Sequence, residues 1–212
     1  MSGGANGRRA DIRVDLRLIA DMVPPNSRVL DVGCGDGALL DYLARFKQVD
    51  GRGLELSQDG VNACVGQGLS VVQGDADVDL VNYPPGAFDY VILSQTLQAT
   101  RNPRQVLQEM LRIGRHTIVS FPNFGYWRVR WHLLWRGRMP VTETLDRPWY
   151  LTPNIHLCTI SDFEQLCRDI GIAIDKRITV NAVGGGEAAP TSGWFANLFG
   201  EQAVYLLSMN RA

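Results

Sequence analysis

Gly33, Gly35 and Gly37 alternate with other residues just after an apolar run from Val29 to Val32, and two acids, Asp31 and Asp36, stand among them. At the carboxyl end of a strand, glycines let the backbone turn tightly and approach a ligand closely. The pattern Gly33-x-Gly35-x-x-Ala38 fits the loose dinucleotide fingerprint, and Glu55 lies 20 residues after Gly35, where a ribose-binding acid is expected. Spacing alone does not choose the ligand. Charge does: a pyrophosphate is favoured by a helix N-terminus free of anions, whereas Asp31 and Asp36 favour a cation.

Other chemistry-bearing residues are sparse. The loop from Ser94 to Thr100 reads S-Q-T-L-Q-A-T, with no histidine, carboxylate or lysine to act as a base. The three histidines lie elsewhere: His116 at a strand start, His132 in a helix and His156 in the loop T-P-N-I-H-L-C-T. His156 and Tyr126 are the candidates for proton transfer, His156 because functional residues concentrate on loops. Cys34, Cys64, Cys158 and Cys167 form no C-x-x-C pair and have no histidines at zinc spacing, so reduced thiols and no metal are expected.

The segment Tyr126 to Met139 combines three tryptophans with Arg128, Arg130, Arg136 and Arg138. On a helix, Trp127, Trp131, Leu134 and Trp135 share one face. Two readings stand: a helix that turns its tryptophans onto the sheet, or an exposed aromatic and arginine surface for a partner protein. Nucleic-acid binding by stacking is a weaker third.

The elements that must position these residues follow from periodicity. Ile12, Leu16, Ile19 and Val23 share a helical face, and Pro24-Pro25-Asn26 stops that helix. Strand 1 and the glycine turn lead into a helix over 38–46. Gly51 to Leu56 is strand 2, Ser57 caps the next helix, and Leu69 to Gln73 is strand 3. F-D-Y-V-I-L from 88 to 93 is the strongest buried-strand signal, followed by an Asn102-Pro103 helix start and by strand 5 from His116 to Phe121. Ser161 to Glu164 reads as a capping box. Ile172 to Val180 and Ala203 to Met209 are the last strands, with no intervening helix, around a mobile connector at Gly184-Gly185-Gly186.

This alternation predicts one α/β domain over 11–212: a doubly wound, mostly parallel seven-stranded sheet of Rossmann type with a C-terminal antiparallel hairpin. Hydrophobic content of 45% and a formal net charge of -1 over 212 residues give no global case for DNA or anionic membranes. No apolar run reaches the length of a membrane span, and residues 1–10 lack a secretory core. A disordered start and a cytoplasmic location are expected.

L-D-V-G-C-G-D-G, Leu30 to Gly37, closely resembles motif I of the class I S-adenosylmethionine-dependent methyltransferases, whose ligand carries a sulfonium and an ammonium. The resemblance covers roughly 28–122. It implies that Asp31 and the backbone of Gly33, Cys34, Gly35, Asp36 and Gly37 hold the methionine part. Glu55, followed by Leu56, would accept both ribose hydroxyls. Asp75, before Ala76, would accept from the adenine amine, and Ser94 and Gln95 would complete the floor. The N-P-P-Y type of motif of nucleic-acid amino methylases is absent.

Four further segments, S-Q-T-L-Q-A at 94–99, N-P-R-Q-V-L-Q-E-M-L-R-I-G-R at 102–115, S-F-P-N-F-G-Y-W-R at 120–128 and T-P-N-I-H-L-C-T-I at 152–160, resemble the MetW family of methionine biosynthesis proteins. This resemblance runs from about Val14 to Met209; Ala38 and L-D-R-P-W-Y-L at 145–151 depart from it. It implies an accessory protein of homoserine O-acyltransferase, the enzyme often called MetX. Such a chain would sense S-adenosylmethionine or S-adenosylhomocysteine and signal through Trp127 to Arg138. The competing class is an active small-molecule methyltransferase using Tyr126 or His156, or no base if its acceptor is already anionic. A third is a scaffold that binds no nucleoside.

Overall fold

The computed structural model describes residues 12–142, 145, 147–180 and 193–209. The expected disordered start and the Gly184-Gly185-Gly186 connector lie outside them.

Seven strands form one sheet: β1 (Arg28–Val32), β2 (Asp50–Glu55), β3 (Val71–Gln73), β4 (Phe88–Ser94), β5 (Gly114–Pro122), β6 (Ile172–Val180) and β7 (Gln202–Met209). Their order across the sheet is β3-β2-β1-β4-β5-β7-β6. The first five are parallel, and β7 runs antiparallel to both neighbours. The helices are α1 (Val14–Met22), α2 (Ala38–Lys47), α3 (Gln58–Gly66), α4 (Ala76–Asp79), α5 (Pro103–Ile113), α6 (Trp127–Arg136), α7 (Ile160–Asp169) and α8 (Trp194–Phe199).

Successive strand residues point to opposite faces, so β1 and β4 feed two cores. Leu30, Val32, Val91 and Leu93 pack with Leu107, Met110 and Phe163 of α5 and α7, and Val29 and Ile92 pack with Ile19, Leu39 and Leu43 of α1 and α2. Sheet order reverses between β1 and β4, so the crevice beyond their carboxyl ends is the place an open α/β sheet offers a ligand.

The structure corrects two expectations and decides a third point that the sequence left open. The last two strands do pair antiparallel, but the short helix α8 lies between them, and β7 is inserted beside β5 while β6 takes the edge. Burial explains the order. Ala203, Val204, Tyr205 and Leu207 of β7 are fully buried, whereas β6 carries Asp175-Lys176-Arg177, which suits an edge strand. The capping box of α7 sits two residues earlier than expected: Thr159 Oγ1 accepts from Asp162 N–H at 3.2 Å, and Asp162 Oδ2 accepts from Thr159 N–H at 2.9 Å. On α6 only Val129 is buried, while Trp127, Trp131, Leu134 and Trp135 are exposed, so the tryptophans do not turn inward.

Candidate functional site

The turn after β1 is held by Gly33, Gly35 and Gly37, all at positive φ. At Gly33 (φ 70°) a Cβ would lie 2.6 Å from Thr96 Oγ1, and at Gly37 (φ 82°) it would lie 2.5 Å from Leu69 Cδ1. Both conformation and space therefore demand glycine. The Asp36 side chain accepts from Ala38 N–H at 3.1 Å and caps the start of α2. Cys34 packs beneath the turn, its sulfur 3.8 Å from that of Cys64; both thiols are free, and burial pushes each up from its ordinary value.

Glu55, at the end of β2, braces this turn. Its Oε2 accepts from Gly35 N–H at 2.8 Å and its Oε1 from Ser57 N–H at 2.9 Å. Each oxygen keeps a lone pair for a further donor, as a vicinal diol would require. Asp31 is 2% exposed, and its Oδ1 has no hydrogen-bond partner. Burial raises its carboxyl to about 7, the Glu55 charge adds to the rise, and Arg13 opposes it. A buried acid with an orphaned oxygen, next to a second carboxylate, is a site that a cation would relieve.

Between the β1 turn and the loop after β4 lies a cavity of about 330 Å³, within the usual range of small-molecule sites. Gly33, Glu55, Leu56, Asp75, Ala76 and Gln95 line it; Asp31, Cys34, Gly35, Asp36, Gly37 and Ser94, on the same turn and strand ends, do not. Ser94 Oγ lies 3.3 Å from Ser120 Oγ in the floor below. The Gln95 backbone is left-handed (φ 52°), its N–H donates to Ser120 O, and its side chain donates to Asp15 Oδ2 at 3.0 Å. Backbone strain of this kind concentrates at functional sites.

Several lining residues carry no sequence signal strong enough to find them. Arg101 pairs with Asp75 and Asp77 across the mouth of the cavity, and Asp77 also accepts the N–H groups of Arg101 and Asn102 at 2.8 Å. Asp75 caps α4 by accepting from Asp77 N–H at 2.9 Å. Asp75 was expected from the family resemblance, but a four-residue helix is too short to leave a periodic pattern, so Asp77 and its pairing with Arg101 were legible only after folding. Arg13, whose charge acts on Asp31, forks onto Asp15 at 2.8 and 3.1 Å.

The structure brings neither proton-transfer candidate to the cavity. Tyr126 is 6% exposed, precedes α6 and is not among the residues lining this cavity. His156 lies in a separate groove with Pro103 and Phe163, its Nε2 3.3 Å from Arg101 O. Among the described residues no cluster of histidine, cysteine and carboxylate is placed to hold a metal ion, and no helix is long and apolar enough to cross a membrane.

Residues 13–207 match the family model described as methionine biosynthesis protein MetW. The chain belongs to the MetW family. A MetW-containing relative, the bifunctional methionine biosynthesis protein MetXA/MetW of Rhodopirellula baltica, is 37% identical over 176 residues. That match takes in 79% of this chain and 28% of the relative, so the chain spans little more than a quarter of the fusion's length. The fold of this MetW-family chain is also that of solved S-adenosylmethionine-dependent methyltransferases. One from Archaeoglobus fulgidus aligns over 97% of this chain and 94% of its own, with a TM-score of 0.67 at 16% identity. A TehB-like one from Corynebacterium glutamicum aligns over 96% and 92%, with a TM-score of 0.59 at 19% identity. At such identities the likeness is one of fold.

Proposed function

We propose that this chain binds S-adenosylmethionine or S-adenosylhomocysteine and acts as an accessory, regulatory partner of a homoserine O-acyltransferase in the cytoplasm. The observation that carries the ligand half is the unpartnered, buried Asp31 beside Glu55 at the sheet's switch point. The residues present fit the ligand. The β1 turn and Asp31 would hold the cationic methionine part, Glu55 the ribose hydroxyls, and Asp75 with Ala76 the adenine. When bound, the sulfonium form supplies an electrophilic methyl group. The chain's own contribution to transfer is weak: no base lies on the Ser94 to Thr100 loop, and Tyr126 and His156 stand outside the cavity. A binding protein is therefore favoured over an active methyltransferase.

The partner half is supported by the relative in which MetXA and MetW are one polypeptide. The exposed tryptophans of α6, flanked by Arg128 and Arg136, supply a contact surface of the aromatic and arginine composition that interfaces favour.

The test is homoserine acylation with and without this chain, at several S-adenosylmethionine concentrations. Acylation that rises with the chain and shifts with the nucleoside is expected. Acylation indifferent to the chain overturns the accessory reading, and association indifferent to the nucleoside overturns only sensing. Release of S-adenosylhomocysteine with a defined acceptor, lost in Asp31→Ala, would instead establish an enzyme.

A further inference from the structure

A second cavity, of about 440 Å³, opens beside the first and shares Gln95 and Pro153 with it. Phe124, Met139 and Leu157 give it apolar walls. Among the described residues its one charged lining group is Arg147, and no hydrogen bond or ion pair there engages that guanidinium. Small-molecule sites have this make-up: apolar walls with a few polar groups that fix orientation. A guanidinium is a fork of donors with no acceptor, so the complement it lacks is an anion, best of all a planar carboxylate.

The two cavities are opposite in charge. Glu55, Asp75 and Asp77, with Arg101, line the first, whereas among the described residues the second has Arg147 and no acid. A molecule suited to one is therefore poorly suited to the other. Gln95 is the partition between them, and its side-chain bond to Asp15 and backbone bond to Ser120 hold it in place.

We propose that the second cavity binds an amphipathic monocarboxylate, with its anion on Arg147 and its apolar part against Phe124 and Leu157. A phosphate dianion would leave one negative charge unpaired against a single guanidinium, and a neutral amphiphile would leave the guanidinium unmatched. The assignment does not depend on whether a nucleoside binds next door.

Calorimetry with octanoate, octan-1-ol and octyl phosphate tests it, on the native chain and on Arg147→Gln and Arg147→Lys. Octanoate should bind the native chain, and Arg147→Gln should weaken it at least about tenfold, as expected for loss of a charge-assisted pair. Arg147→Lys should recover part of the loss, octan-1-ol should bind alike to all three, and S-adenosylhomocysteine should not displace octanoate. Absence of octanoate binding at millimolar concentration, equal binding to the native chain and Arg147→Gln, or displacement by S-adenosylhomocysteine overturns the site. Tighter binding of octyl phosphate overturns the choice of carboxylate. Arg147 is exposed, so its variants should keep the native thermal midpoint, which is measured alongside.

Discussion

Asp31 is the residue whose physics says most about the ligand. Its carboxyl, raised to about 7 by burial and by Glu55, holds a proton in the folded chain that an unfolded chain releases near its ordinary value of 3.8. The stability tied to that proton is fully present below 3.8 and is lost as pH rises through about 7. Asp31→Asn should therefore lose part of the wild type's decline in urea midpoint between pH 4 and pH 8, and identical pH profiles would refute the assignment. Binding has the opposite sign. A cation beside Asp31 favours the ionised form, so nucleoside affinity should rise with pH up to about 7, with proton release measurable by calorimetry in buffers of different ionisation enthalpy. Arg101 makes a second prediction at this scale. It occupies Asp75, the expected adenine acceptor, yet its side chain is 68% exposed, so the pair contributes little. Arg101→Gln should free Asp75 and tighten S-adenosylhomocysteine about threefold, corresponding to roughly 0.6 kcal/mol. Weaker binding would mean that Arg101 orients Asp75 and does not compete with the ligand.

At the scale of elements, one side chain ties together the segments that follow β5. Asn123 is 2% exposed and uses its whole amide: Nδ2 donates to Asn197 O at 2.9 Å and Gly200 O at 2.7 Å, while Oδ1 accepts from Gly125 N–H at 2.9 Å and Ile160 N–H at 3.1 Å. It thereby joins the end of β5 to the starts of α6 and α7 and to α8. Asn123→Ala leaves two buried carbonyls and two buried N–H groups unmatched, and should destabilise by about 3 kcal/mol or more in urea denaturation. A loss below about 1 kcal/mol would show that water or rearrangement replaces the amide. This junction was not legible in the sequence, because its four bonds reach up to 77 residues along the chain. What was legible had a local cause. The glycine turn, the Ser57 and Asn102 caps and the apolar β4 depend on neighbouring residues alone, and the structure has them where periodicity and capping put them. The insertion of β7 was half legible: its apolar run signals a central strand, and the charges of β6 signal an edge, but only pairing decides which neighbour each takes. Within the site, Glu55 could be found by spacing, whereas Arg13, Asp77 and Arg101 gather from separate loops and helix ends.

For the whole molecule the question is which exposed surface would meet the proposed partner. Trp131 and Trp135 are 57% and 70% exposed and touch each other, with ring centroids 5.4 Å apart, on a helix that buries only Val129. Side chains so placed contribute little to folding, so their replacement should leave the urea midpoint within about 0.5 kcal/mol of wild type. If the helix is the docking surface, the same replacements remove anchors of the type that dominates interface energetics, at about 2 kcal/mol or more each. Trp131→Ala and Trp135→Ala should then weaken association with the acyltransferase by more than about tenfold, measured by sedimentation or calorimetry, while nucleoside affinity stays native. The pairing of readouts matters, because loss of association together with loss of stability would mean only that α6 packs into the fold. Unchanged association with both variants would move the contact elsewhere, and α8 with its exposed Trp194 and Phe195 is the next surface of the same chemistry. Asn123 ties the start of α6 and the end of α8 to the same strand end, so the two candidate surfaces lie on segments that one buried amide joins.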